Sequence, residues 1–150
     1  MLPTLTAHLP AVSRALLGYR WRRLDAARRA AMQAGVTGAL FPWQSGSDGR
    51  EETPVELYNQ RSGRWIPDNS RLQRHVGLAI AVNAWQYYQA TGDVDWLAHL
   101  GADLIIAGTR VFAPRATSAP TDARAHLTGV VGPRAWHSGH PPTPSPRVPA

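Results

Sequence analysis

The chain has no cysteine, and that absence removes a disulfide framework, a zinc-thiolate site and a thiol nucleophile together. It also has no lysine: all sixteen basic residues are arginine, set against ten acids, which gives a net charge of +6 and an isoelectric point near 11.0. No apolar run approaches the ~20 residues of a membrane span. The opening Met-Leu-Pro-Thr-Leu-Thr-Ala-His-Leu-Pro lacks the basic start of a secretory leader. A cytoplasmic location is therefore the expectation. The histidines are scattered without metal-ligand spacing, so no metal is expected.

At 150 residues the chain has the length of one ordinary domain. Arg14, Arg20, Arg22, Arg23, Arg28 and Arg29 crowd its first 35 residues, with Asp25 as the acid among them. A basic helix of this kind can track phosphates. Yet Arg20, Arg22 and Arg23 fall on different sides of a helix and no recognition motif accompanies them. A solvated, arginine-biased face is favoured over a nucleic-acid partner.

Periodicity predicts an all-α protein with about three main helices. The first runs from Ala11 to Ala34, rich in Ala, Leu and Arg, with Val12, Leu16, Tyr19 and Arg23 at helical spacing and Gly35 as the stop. The second opens at Ser70-Arg71-Leu72-Gln73, a capping-box pattern, and continues to Thr91, with Gly92 ending it. From Val76 to Tyr88 it is apolar nearly all round, which predicts burial on more than one side and a buried partner for Asn83. The third is capped by Asp93, carries Leu97, Leu100 and Leu104 on its inner face, and should end at Pro114. Residues 141–150 are proline-dense, which predicts a disordered or polyproline tail behind a domain of residues 1–140.

Between the first two helices lie about 34 residues with weak periodicity, far more than a compact domain spends on a connection without a purpose. Phe41, Trp43, Tyr58 and Trp65 predict that this segment is packed, while Pro54, Pro67 and the turn-like Arg61-Ser62-Gly63-Arg64 make it irregular. Its first part, Leu40 to Thr53, gathers an indole, hydroxyls, an amide, an arginine and three carboxylates on a backbone loosened by Gly46 and Gly49. An aromatic face beside hydrogen-bonding groups suits a sugar, whose C–H face packs on the ring while its hydroxyls bond to polar groups. A merely solvated polar loop is the alternative reading.

The run Phe-Pro-Trp-Gln-Ser-Gly-Ser-Asp-Gly-Arg-Glu-Glu-Thr (41–53) and the run Tyr-Tyr-Gln-Ala-Thr-Gly-Asp (87–93) resemble glycoside hydrolase family 65, the maltose, trehalose and kojibiose phosphorylases and their relatives. Weaker likeness in Leu16–Leu24 and Gly129–Pro141 extends it over most of the chain. The resemblance implies part of an (α/α)6 barrel with the sugar at one mouth. It implies inverting phosphorolysis or hydrolysis of an α-linked glucosyl disaccharide such as trehalose or maltose, with inorganic phosphate as co-substrate and no cofactor. It points to Trp43 as the loop aromatic near the sugar and to Glu51, Glu52 and His75 as polar contacts, with Gln44 standing where many members have Glu. It also implies what is missing. The family's general acid lies in a Gly-Pro-Asp-Glu-aromatic-His frame, here Gly132-Pro133-Arg134-Ala135-Trp136-His137, with Ala135 at the acid's position. No catalytic residue is therefore assigned. The expected chain is an inactive internal fragment, without the remainder of the barrel and prone to self-association. A non-catalytic sugar-binding or interaction module is the other reading.

Overall fold

The computed structural model describes residues 2–113 in full and, beyond them, the backbone of two short strands, Ala116–Ser118 and Ala125–Leu127. Residues 134, 135 and 137 and the proline-dense segment 141–150 lie outside the described residues.

The segment before Ala11 is itself helical: α1 spans Leu2–His8, and its buried Thr6 donates to Ser13 Oγ at 3.0 Å across the turn. The single first helix expected from composition is two. α2 runs Pro10–Trp21, with Pro10 at its start where no N–H is needed. α3 runs Leu24–Gln33. Arg23 leaves helical geometry between them (φ −109°, ψ 11°), because its side chain is claimed by the loop described below. Gly35 does stop α3, and the Val36 N–H closes it on Ala31 O at 2.9 Å.

The long connection then threads inward before it becomes irregular. Ala39 N–H donates to Ala107 O at 2.8 Å and Leu40 N–H to Ala27 O at 2.9 Å, which buries Ala39, Leu40 and Phe41. Farther on, the connection forms an antiparallel hairpin that the periodicity did not announce. β1 (Glu56–Asn59) pairs with β2 (Arg64–Pro67) in the register Glu56 to Pro67, and the predicted turn at Arg61–Arg64 is its tip. Asn59 Oδ1 accepts the Arg61 and Ser62 N–H groups there. A second pair, β3 (Ala116–Ser118) and β4 (Ala125–Leu127), is also antiparallel. The protein is mostly helical and not all-α. Of the aromatics expected to pack, Phe41 alone is buried; Trp43 is partly exposed, while Tyr58 and Trp65 are open to solvent and cover each other at 5.5 Å.

The capping box is not used. Ser70–Leu72 makes one tight 3-10 turn, Gln73 departs from helical ψ (79°), and Asp68, not Gln73, takes the Ser70 N–H at 2.8 Å. α4 then runs Val76–Thr91 and ends at Gly92. It buries Ile80, Ala84 and Tyr87 and packs against α1, α2 and α6, burial on more than one side as expected, while Val82 (55% exposed) and Trp85 (47%) stand in solvent. Asn83 bonds back along its own helix to Ala79 O at 2.6 Å and needs no partner in the core.

Asp93 caps the last helical stretch as expected, accepting the Trp96 N–H at 2.9 Å. α5 (Val94–Trp96), a π-helical turn (Leu97–Gly101) and α6 (Ala102–Arg110) are continuous. The wide turn places Gly101 under Trp96, where a Cβ would stand 2.6 Å from the indole. Trp96, fully buried, meets Tyr87 edge-on at 4.5 Å. α6 reaches α4 backbone to backbone: a Cβ on Gly108 would lie 2.8 Å from Gly77 O. No helix among the described residues is long and apolar enough to cross a membrane.

Candidate functional site

The helices hold one feature out on their surface, the segment Gln44–Glu52. It folds back on itself: Glu52 N–H reaches Gln44 O and Gly46 N–H reaches Arg50 O, both at 2.9 Å. Ser45 and Glu51 form the bridge between its arms. Gly49 turns the tip at φ +84°, and its missing Cβ leaves room for the Cβ of Arg23, which would otherwise be 2.9 Å away.

Two side chains, Tyr19 from the end of α2 and Arg23 from the break before α3, seat this small hairpin. Tyr19 OH lies 3.1 Å from both Ser45 Oγ and Gly46 O. Arg23 donates twice to Ser47 O, at 2.9 and 2.7 Å, and its guanidinium lies 3.7 Å from the centre of the Tyr19 ring. Neither residue was singled out from the sequence as part of the site. Their four-residue spacing on one helix face was the available signal. Asp48 accepts the Arg50 N–H at 3.0 Å and pairs with its guanidinium; the amide first, then the side chain, holds this carboxyl below its ordinary range.

Glu51 turns inward. One carboxylate oxygen accepts the Trp43 N–H at 2.8 Å; the other accepts the Gln44 N–H at 3.1 Å and the Thr53 N–H at 3.2 Å, and takes the Thr53 hydroxyl as well. It pairs with backbone rather than with a neighbouring arginine. Trp43, 40% exposed, is thereby fixed at its backbone, and its ring meets His75 edge-on at 5.9 Å and 63°. The structure thus brings Trp43, Gln44, Glu51 and His75 together. Glu52, next along the extended arm, packs instead over Gly46, whose Cβ would lie 2.6 Å from Glu52 Oε1.

Two polar groups beside this cluster are buried without a hydrogen-bond partner among the described residues: His75 Nδ1 and Arg20 Nη1. Burial pushes the Arg20 guanidinium below its ordinary range, and Tyr19 and, less, Glu51 draw it partly back. An indole with an edge-on imidazole and spare donors close by can take a sugar ring and its hydroxyls.

Comparison with known proteins decides the family. The model of the glycosyl hydrolase family 65 central catalytic domain matches residues 1–141. The chain belongs to glycosyl hydrolase family 65. Among its relatives, an uncharacterized glycosyl hydrolase of Mycobacterium tuberculosis H37Rv is 50% identical over 139 residues, covering 93% of this chain and 10% of that protein. Trehalose 6-phosphate phosphorylase of Lactococcus lactis subsp. lactis IL1403 is 44% identical over 141 residues, 94% of this chain and 18% of that enzyme. Kojibiose phosphorylase of Caldanaerobacter subterraneus is 35% identical over 140 residues, with 91% and 18% covered. The chain therefore spans between a tenth and a fifth of the length of these family 65 relatives.

Proposed function

We propose that this chain supplies part of the sugar-binding mouth of a family 65 inverting enzyme, a cytoplasmic phosphorylase or hydrolase of α-linked glucosyl disaccharides such as trehalose or maltose. Residues 1–140 are one portion of the catalytic domain, α1 to α6 part of its helical barrel, and residues 141–150 a tail. The observation that carries the reading is the exposed Trp43 ring set edge-on to His75 on a hairpin that Glu51 stitches to its own backbone. The glucosyl ring stacks on Trp43, His75 and Gln44 offer hydrogen bonds, Glu51 acts by holding the loop, and Glu52 stands at its edge. Inorganic phosphate is the co-substrate and no cofactor is needed.

The chain by itself is a binding element rather than a catalyst. Protonation of the leaving oxygen needs a carboxylic acid, a contribution of roughly 10²–10⁴-fold. By resemblance Ala135 holds that position, and neighbouring Arg134 stays protonated at any working pH. The test is release of glucose 1-phosphate or glucose from trehalose, maltose and kojibiose, with and without phosphate. No turnover is expected from the chain, nor from a double variant with Arg134→Asp and Ala135→Glu. Clear turnover by the unaltered chain would mean that the acid lies elsewhere.

A further inference from the structure

The β1–β2 hairpin stands apart from the helical body. Its two strands pack chiefly on each other, and the Asp68 N–H closes its base on Val55 O at 2.8 Å. Every residue of both strands except Asn59 is exposed. A two-stranded hairpin on its own is marginal in water, so one that carries large apolar side chains gains from a partner.

The register puts Tyr58 opposite Trp65 and Glu56 opposite Pro67, and alternation sets all four on one face. The two rings are more than half exposed, 5.5 Å apart and tilted by 57°. The Tyr58 hydroxyl, the Trp65 indole N–H and the Glu56 carboxylate have no hydrogen-bond or ion-pair partner among the described residues. An aromatic pair with two spare donors suits a ligand that is rich in acceptors and in apolar rings.

A proline-rich chain is such a ligand. Proline offers a carbonyl and no N–H, and polyproline II leaves its carbonyls unpaired. Segments of this kind dock in aromatic-lined grooves because they have little conformational freedom left to lose. This chain has one of its own, Pro141-Pro142-Thr143-Pro144-Ser145-Pro146-Arg147-Val148-Pro149, outside the described residues. Polyproline II turns every three residues with a rise of ~3.1 Å, which sets Pro141, Pro144 and Arg147 along one edge about 9 Å apart. Glu56 lies two residues, about 7 Å, along β1 from Tyr58. With a proline on the rings, the arginine three places on is within reach of the Glu56 carboxylate. Distance is no obstacle either. The fourteen residue steps from Leu127 to Pro141 span up to about 45 Å, against a radius of gyration of about 13 Å for a domain of a hundred residues.

We propose that the Tyr58–Trp65 face docks the chain's own residues 141–149 as a polyproline II helix. Prolines pack on the two rings, carbonyls accept from the Trp65 indole and the Tyr58 hydroxyl, and Arg147 pairs with Glu56. A short tether holds the segment at an effective concentration of the order of a millimolar. Even an intrinsic dissociation constant of about 0.1 mM then leaves docked chain exceeding free chain about tenfold.

The test is ¹⁵N relaxation and nuclear Overhauser contacts in the whole chain. Contacts are expected from the Trp65 ring to prolines of 141–149, with the amides of Thr143, Ser145, Arg147 and Val148 relaxing like those of the hairpin. Trp65→Ala should lower the ratio of docked to free chain about tenfold, and Glu56→Gln about two- to threefold, as for an exposed ion pair. Trp85→Ser, at the exposed aromatic of α4, should leave the four amides unchanged. Trp65→Ala also removes half of a cross-strand pair, so the deciding variant is Pro141→Ala with Pro144→Ala, which leaves the hairpin untouched. It should shift the Trp65 indole resonance. An indole at the same position in the parent and this double variant overturns the proposal, as do four amides that relax alike in the parent and in Trp65→Ala. Contacts that strengthen with protein concentration would put another copy's segment on the hairpin and overturn docking within the chain.

Discussion

Glu51 holds Trp43 through the main chain, with its carboxylate 2.8 Å from the Trp43 nitrogen and 3.1 Å from that of Gln44. An acid that the sequence offered as a substrate contact is thus a brace for the aromatic beside it. Glu51→Gln would turn an NH₂ group toward one of these N–H donors. The expected result is a local loss of about 1–2 kcal/mol, read as faster amide hydrogen exchange at Trp43 and Gln44 with little change in global melting. Unchanged exchange at both amides would remove Glu51 from this role.

The hairpin tip makes a harder demand. Gly49→Ala forces a side chain into a left-handed conformation and against the Cβ of Arg23, so a loss of about 2 kcal/mol is expected. Thermal unfolding measures it. A variant as stable as the parent would mean that the tip is not seated on α3.

Acid should loosen the same hairpin. Asp48 has its pKa depressed by Arg50, so its contribution is fully present above the ordinary carboxylate range and is lost as pH falls through the depressed value. Amide exchange across residues 46–50 should therefore rise at the acid end of that window. In Asp48→Asn it should already be raised at neutral pH and show no such step. An identical acid profile in parent and variant would contradict the pairing.

Val82 and Trp85 on α4, with Trp65 and Ile66 on β2, leave apolar surface in solvent. Patches beyond a few hundred Å² favour association. Sedimentation across a concentration series should show oligomers, fewer in Trp85→Ser. A monodisperse monomer at all concentrations would count against it.

Local chemistry was legible where a residue acts on its own segment: Gly35 and Gly92 stop helices, Asp93 starts one, and Arg61–Arg64 turns. What failed depended on distant partners. Arg23 breaks the first helix because Ser47 and Tyr19 take its side chain, a contact that helix propensity does not contain. Ser70 and Gln73 have the letters of a capping box, but the chain turns at Gln73 before a helix can start. β1 and β2 are short and exposed on both faces, so no alternation marks them. Of the candidate site, Trp43, Gln44, Glu51 and His75 were named through the family's motif, and the structure brings these four together. The turn of Glu51 back onto its own loop and an arginine-rimmed cleft beside it, between α3 and the Ser70–Leu72 turn, arise only from the folded arrangement.

The central claim, that Trp43 with His75 forms a sugar platform, is tested most directly at the Trp43 indole. Its ¹H–¹⁵N resonance, assigned through Trp43→Phe, is followed while trehalose, maltose or kojibiose is added. The expected result is a saturable shift of the Trp43 indole and the His75 ring signals, absent in His75→Ala and Trp43→Phe, with the buried Trp96 indole unmoved. If the Trp43 indole stays fixed at saturating disaccharide, or moves no more than that of exposed Trp65, this loop is not the sugar site.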